Sequence, residues 1–156
     1  MGYLVDTSIL VRLANRSDPL YATADAAILE LHRRGEWLRL TPQVLIEFRN
    51  VATRPVAANG LGLTATDADI AASDFESIFP VLPESPDIYP AWKSLVRQAG
   101  VIGKQVHDAR LAAVCHVHPL SDILTFNVSH FLSLAVYPPG IHVVPPASVQ
   151  SPGQGT

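Results

Sequence analysis

Gly2-Tyr3-Leu4-Val5-Asp6-Thr7-Ser8 is the stretch whose reading decides the fold. A short apolar run that changes at once to Asp, Thr and Ser reads as a buried strand ending at a polar turn. Working outward, Ile9 to Ala14 is apolar at helical spacing. Pro19 opens a second helical stretch, in which Ala24, Ile28 and Leu31 share a face as far as Gly35. Trp37 to Leu40 reads as a second strand. Thr41-Pro42 starts a helix to about Thr53, and the two glycines between Ala57 and Leu63 mark a loop. Thr66 with Asp69 forms a capping pattern for a helix to about Phe79. Pro80, Pro83, Pro86 and Pro90 break the chain before a helix from Ala91 to Gln98. A further helix runs from Gln105 to about His116, and strands follow at Ile123–Phe126 and Ile141–Val144.

Short apolar strands separated by long helical stretches imply the α/β class, a central mostly parallel sheet of four to five strands flanked by helices. Such sheets bind ligands outside the carboxyl ends of their strands, so residues just after a strand carry the functional reading. The expected organisation is one domain over residues 1–144. A disordered tail over residues 145–156, rich in Pro, Ser, Gly and Gln, follows it.

Composition narrows the function. The chain has 156 residues, 48% of them apolar, enough for one well-buried core. Its 11 basic and 14 acidic residues leave a net charge of −3, which excludes binding nucleic acid by wholesale phosphate neutralisation. The single cysteine, Cys115, excludes a disulfide framework and a multi-cysteine zinc site. No apolar run approaches the roughly 20 residues of a membrane span. Asp6 stands where a signal peptide would carry its apolar stretch, so the expected location is the cytoplasm.

Three acids sit where apolar residues are expected. Asp6 follows the first strand directly, at its carboxyl edge. Glu47 shares a stripe with Val44, Phe48 and Val51, and Asp108 shares one with Leu111, Ala112 and Cys115. Each alone has an ordinary explanation: a helix cap for Asp6, a pairing with Arg49, Arg54 or a neighbour for Glu47, a favourable first-turn charge for Asp108. Together, on elements that surround one sheet edge, they are harder to explain structurally. Carboxylates brought together repel, and a hard divalent cation is the simplest compensation. Oxygen ligands without Cys or clustered His favour Mg²⁺ or Mn²⁺ over zinc. Asn127 follows the third strand at the same edge, with the hydroxyls of Ser8 and Thr125 nearby, whereas Asp122 lies at the opposite end and should face away.

This constellation resembles the PIN-domain ribonucleases, and in particular the VapC-type toxins of prokaryotic toxin–antitoxin pairs. The resemblance runs from about Tyr3 to Val144. Its segments are Tyr3-Leu4-Val5-Asp6-Thr7-Ser8, Thr41-Pro42-Gln43-Val44-Leu45-Ile46-Glu47-Phe48, His107-Asp108-Ala109-Arg110-Leu111-Ala112-Ala113 and Ile123-Leu124-Thr125-Phe126-Asn127-Val128. The resemblance implies that Asp6, Glu47 and Asp108 take the metal-site acid positions. Asn127 takes the place of a fourth acid. His130 stands where relatives with that Asn often carry an Asp, a departure that bears on a second metal ion; one Mg²⁺ suits the acids that remain. The implied activity is endonucleolytic hydrolysis of RNA by metal-activated water, with Asn127 positioning the water. Ser8 and Thr125 are supporting residues. Arg12, Arg49, Lys104 and Arg110 are candidate phosphate contacts, and each also suits a solvated face. A cognate antitoxin and a homodimer are implied partners, for which Tyr21, Phe75, Phe79, Tyr89 and Trp92 offer contact material, although aromatics are commonly buried and core is the more ordinary role of each.

Two other readings stay open. A Mg²⁺-dependent phosphatase of the haloacid-dehalogenase type also begins strand–Asp, but it wants a second acid where Ser8 stands and a catalytic lysine, and the only lysines are Lys93 and Lys104. A catalytically degraded PIN-like protein would bind a partner or RNA without cutting. A Cys115 nucleophile is discounted, since its stripe is apolar.

Overall fold

The computed structural model describes residues 2–149. Among them, four strands, β1 (Gly2–Val5), β2 (Trp37–Arg39), β3 (Asp122–Leu124) and β4 (His142–Val144), form one all-parallel sheet in the order β2-β1-β3-β4. Seven helices flank it: α1 (Thr7–Leu13), α2 (Tyr21–Arg33), α3 (Pro42–Thr53), α4 (Ala65–Ile78), α5 (Ile88–Ala99), α6 (Gln105–Val117) and α7 (Val128–Ala135). Every residue of β1 is buried because the strand lies inside a parallel sheet covered on both faces. The register pairs Leu4 with Arg39 on one side and with Ile123 on the other. The chain leaves β1 towards β2 and returns to β3 on its opposite side. That reversal opens a crevice at the carboxyl ends of β1 and β3.

Local chemistry sets the helix starts. Thr41 caps α3 by accepting from the Val44 amide at 3.1 Å, with Pro42 in the first turn. α4 is capped by Thr64, which accepts from the Asp67 amide at 3.0 Å, not by Thr66. The same spacing of threonine and acid occurs two residues earlier, and that copy is used. α5 begins at Ile88, so Pro90 lies inside its first turn, where the missing N–H has no intrahelical partner to lose. α7 has no counterpart in the sequence reading. Two turns are marginal alone, and this helix is held by burying Phe131 and Leu134 against the sheet and α6.

The core is continuous. Phe48, Leu4, Ile9, Leu10, Leu111, Ile123, Leu124 and Phe131 are fully buried, each contributing about 1.5–3 kcal/mol by burial. Phe75 and Phe79 belong to this core, with Phe75 edge-on to Phe48 at 5.2 Å, so they are not surface contacts for a partner. Leu40 bridges to Val81 and widens the sheet beyond β2, which the proline spacing does not reveal. Where the tail is expected to begin, Pro146–Ser148 forms a 3₁₀ turn packed on α2, with Pro146 buried. Residues 150–156 lie outside the described residues. No helix among the described residues is long and apolar enough to cross a membrane.

Candidate active site

Asp6 leaves the carboxyl end of β1 and is 4% exposed. Its amide donates to the Leu124 carbonyl of β3 at 3.0 Å, which pins it at the seam where the crevice opens. Oδ2 accepts from Ser8 Oγ at 2.7 Å, from the Ser8 amide at 3.3 Å and from Thr125 Oγ1 at 2.7 Å. Asp6 is thus the cap of α1 and also a residue of the crevice. Among the described residues no donor reaches Oδ1, and no basic side chain pairs with this carboxylate. Thr125, fully buried, also accepts from the Asn127 amide at 2.9 Å, and Ser8 Oγ accepts from the Phe126 amide at 3.1 Å. The two hydroxyls therefore tie the end of β3 to the Asp6 carboxylate.

Glu47 reaches the same crevice from α3. Its Oε2 accepts from Thr7 Oγ1 at 3.0 Å and its Oε1 from Gln43 Nε2 at 2.8 Å. Of the partners expected for it, Arg49, Arg54 or a neighbour, neither arginine serves: Arg49 turns away to Asp69 and Arg54 makes no ion pair with Glu47, so the neighbours Thr7 and Gln43 are its partners. Asp108 stands in the first turn of α6 with its side chain 25% exposed. Burial pushes its carboxyl up to about 6; His130 and His107 act to lower it, while the nearby charges of Asp6 and Glu47 raise it further. His130 Nδ1 lies 3.5 Å from Asp108 Oδ2.

The crevice is a cleft of about 850 Å³ lined by Asp6, Ser8, Glu47, Asp108 and Asn127, with Arg12, Lys104, Arg110 and His130 around them. Arg12 is tied to Asp18 at 2.6 Å, and Arg110 to Glu84 at 2.8 Å and to Gln43 at 3.0 Å. Lys104 has no ion pair among the described residues. Arg49 does not line the cleft, because two residues from Glu47 on a helix point to a different side. Asp122 is buried at the far end of β3 beside His142 and faces away from the cleft. Cys115 is buried, and burial drives its thiol well up, which suits an inert side chain.

Among the described residues no group of three or more His, Cys, Asp or Glu side chains is drawn together closely enough to hold a metal ion by itself. The carboxylates instead face a shared, open space. An all-oxygen set of that kind, with Asp6 Oδ1 unused by protein donors, has the donor chemistry of a hard divalent cation that keeps several of its waters. Sequence reasoning assigned no role to Thr7 or Gln43. Gln43 had a local signal, four residues from Glu47 on one helix face; Thr7 had none, since its contact spans two separate elements.

An all-parallel α/β sheet whose carboxyl edge gathers acids from the turn after β1, from α3 and from α6 defines the class. The chain belongs to the PIN domain family, whose profile matches residues 3–135. No curated protein matches it. Among solved structures it is similar to VapBC2 of Rickettsia felis bound to a DNA fragment from its promoter, at 18% identity and TM-score 0.66, covering 93% of this chain and 98% of that one. It is similar to VapBC-1 of nontypeable Haemophilus influenzae at 18% identity and TM-score 0.64, covering 94% and 98%. It is also similar to VapC20 of Mycobacterium tuberculosis, described as a sarcin-ricin loop cleaving toxin, at 21% identity and TM-score 0.60, covering 82% and 92%.

Proposed function

We propose that this protein is a Mg²⁺-dependent endoribonuclease and the toxin of a toxin–antitoxin pair, acting in the cytoplasm as a homodimer restrained by a cognate antitoxin. One observation carries the nuclease reading: Asp6, Glu47 and Asp108, from three distant segments, line one cleft, and no arginine or lysine neutralises any of them. The toxin reading draws on the VapBC structures and on VapC20, described as a sarcin-ricin loop cleaving toxin, which share the fold.

Asp6 and Asp108 would hold the cation, with Glu47 completing or orienting the shell; Mn²⁺ suits the same oxygen donors. When bound, the ion supplies charge neutralisation at the phosphate and lowers the pKa of the attacking water. Ser8 and Thr125 hold Asp6 through Oδ2, which leaves Oδ1 without a protein donor among the described residues. Thr7 and Gln43 fix both oxygens of Glu47. Asp108 must be ionised to act, which its raised pKa allows at neutral pH. Asn127 offers an uncharged amide to orient water, and Lys104, with no ion pair among the described residues, is the readier phosphate contact, since Arg110 is held by Glu84 and Gln43.

The test compares cleavage of an RNA panel by wild type, Asp6→Asn and Asp108→Asn, with Mg²⁺ and with EDTA. Wild type cuts only with the cation, and both variants are folded and inactive. Full activity in either variant refutes the assignment. Cation binding without cleavage by wild type supports the degraded binding protein, and phosphate release from small monoesters supports the phosphatase.

A further inference from the structure

Gln43 lies in the first turn of α3, one helical turn before Glu47, and its amide is fully engaged. Nε2 donates to Glu47 Oε1 at 2.8 Å and to the His107 carbonyl of α6 at 2.9 Å, which uses both of its N–H groups. Oε1 accepts from Arg110 Nη1 at 3.0 Å, and Arg110 Nη2 reaches Glu84 at 2.8 Å. The His107 carbonyl belongs to the residue before Asp108. One amide therefore joins an oxygen of the first acid to the backbone that carries the second.

Packing does not do this job. α3 packs chiefly on α1 and α4, and α6 on α5 and α7, so the two helices face each other across the cleft with little direct contact. The bridge is the hydrogen-bonded strut between them. It also fixes the Arg110 guanidinium at the rim. The side chain must donate twice and accept once, a combination that a glutamine offers. A glutamate could not donate and would add a carboxylate, and a methionine would keep the length but make none of the bonds.

We propose that Gln43 is a positioning residue that sets the separation of the Glu47 and Asp108 carboxylates, and with it the cleft's grip on a divalent cation and its turnover of RNA; this rests on the nuclease reading above. Removing the partner that orients a ligand-bearing side chain typically costs about 10–100-fold in metal affinity or activity.

The test uses the full chain and the variants Gln43→Met and Gln43→Ala, with Mg²⁺ and Mn²⁺ affinities read by calorimetry and RNA cleavage read as kcat and KM. Both variants should melt close to wild type, since Gln43 is only half-buried. The cation affinity should fall about tenfold, and kcat should fall by a similar factor at unchanged KM. In a Glu47→Gln background, Gln43→Met should add little further loss, because no carboxylate remains to be oriented. Wild-type cation affinity in both variants overturns the proposal. So does full additivity with Glu47→Gln, or a loss of activity matched by a loss of melting temperature. If wild type binds neither cation and cleaves no RNA, the nuclease reading falls and this inference with it. If wild type does both and Gln43→Met behaves like it, the inference alone falls.

Discussion

Replacing Asp108 with asparagine should make the metal-free protein more stable at neutral pH, even as it removes activity. The Asp108 carboxyl sits at about 6 in the folded protein against an ordinary 3.8, chiefly because burial disfavours its charge. The shift is about 2 pH units, and each unit corresponds to about 1.36 kcal/mol, so the folded state carries a penalty on the order of 3 kcal/mol once the acid is ionised. With the side chain 25% exposed, solvent trims this figure without cancelling it. The folded pKa is raised, so the sign runs opposite to that of a salt-bridged acid. Below pH 3.8 the group is neutral in both folded and unfolded chains and costs nothing. Between 3.8 and about 6 the folded chain keeps a proton that the unfolded chain has lost, and wild-type stability declines as pH rises. Above about 6 the penalty is complete. Asparagine removes it, and for a domain of this size the untrimmed figure of about 3 kcal/mol would move the melting temperature by about 6–12 °C, an upper bound to the rise. The assay is thermal unfolding of wild type and Asp108→Asn in EDTA at pH 4 and pH 7.5. The variant should lead at pH 7.5, and the gap should close towards zero at pH 4. Saturating Mg²⁺ should then narrow the gap at pH 7.5 by stabilising wild type, by about 2.7 kcal/mol at one hundred times the dissociation constant. A variant no more stable than wild type at pH 7.5, or a gap indifferent to pH, would refute the electrostatic account of this cleft.

Thr125→Val keeps the buried shape but removes the bond to Asp6 and the acceptor of the Asn127 amide; it should cost about 1.5–3 kcal/mol in urea unfolding, and an unchanged midpoint would dismiss the hydroxyl cradle. Glu30 is held down to about 2 by Arg33 and Arg34, so the stability it lends is present above its ordinary 4.5 and lost as pH falls through about 2. Glu30→Gln should therefore lower the urea midpoint at pH 7 and make no difference near pH 2. Gly60→Ala should lower the melting temperature, because its new Cβ would sit 2.0 Å from the Arg54 carbonyl oxygen, a backbone atom held in the turn after α3; overpacking of this kind costs about 1–3 kcal/mol, and a neutral result would mean the turn can reopen.

Much of the scaffold is legible in the residues themselves. β1 is readable because a strand buried on both faces needs an unbroken apolar run, and α2 and α3 because their lengths sustain one buried stripe; α6 is instead buried almost all round from Ala109 to Cys115, and its length alone marks it as a helix. α7 is not readable, because two turns carry too little periodicity and the helix exists only where the core receives Phe131 and Leu134. The cap of α4 falls on Thr64 rather than Thr66 because two overlapping copies of one local pattern compete, and packing chooses between them.

The same division runs through the cleft. Asp6, Glu47 and Asp108 stand out in the sequence because acids interrupt positions whose neighbours are apolar, a property each carries alone. What each acid touches depends on elements far apart along the chain. Whether Glu47 meets an arginine or a threonine and a glutamine, whether Arg49 faces the cleft or Asp69, and whether Phe75 and Phe79 are surface or core are all decided by how helices settle on the sheet. Hydrophobic pattern and strand order dictate which edge gathers the acids, since burial acts on each segment separately. Partners and local charge belong to the tertiary structure, because hydrogen bonds and desolvation act only between groups that the packed core has already brought together.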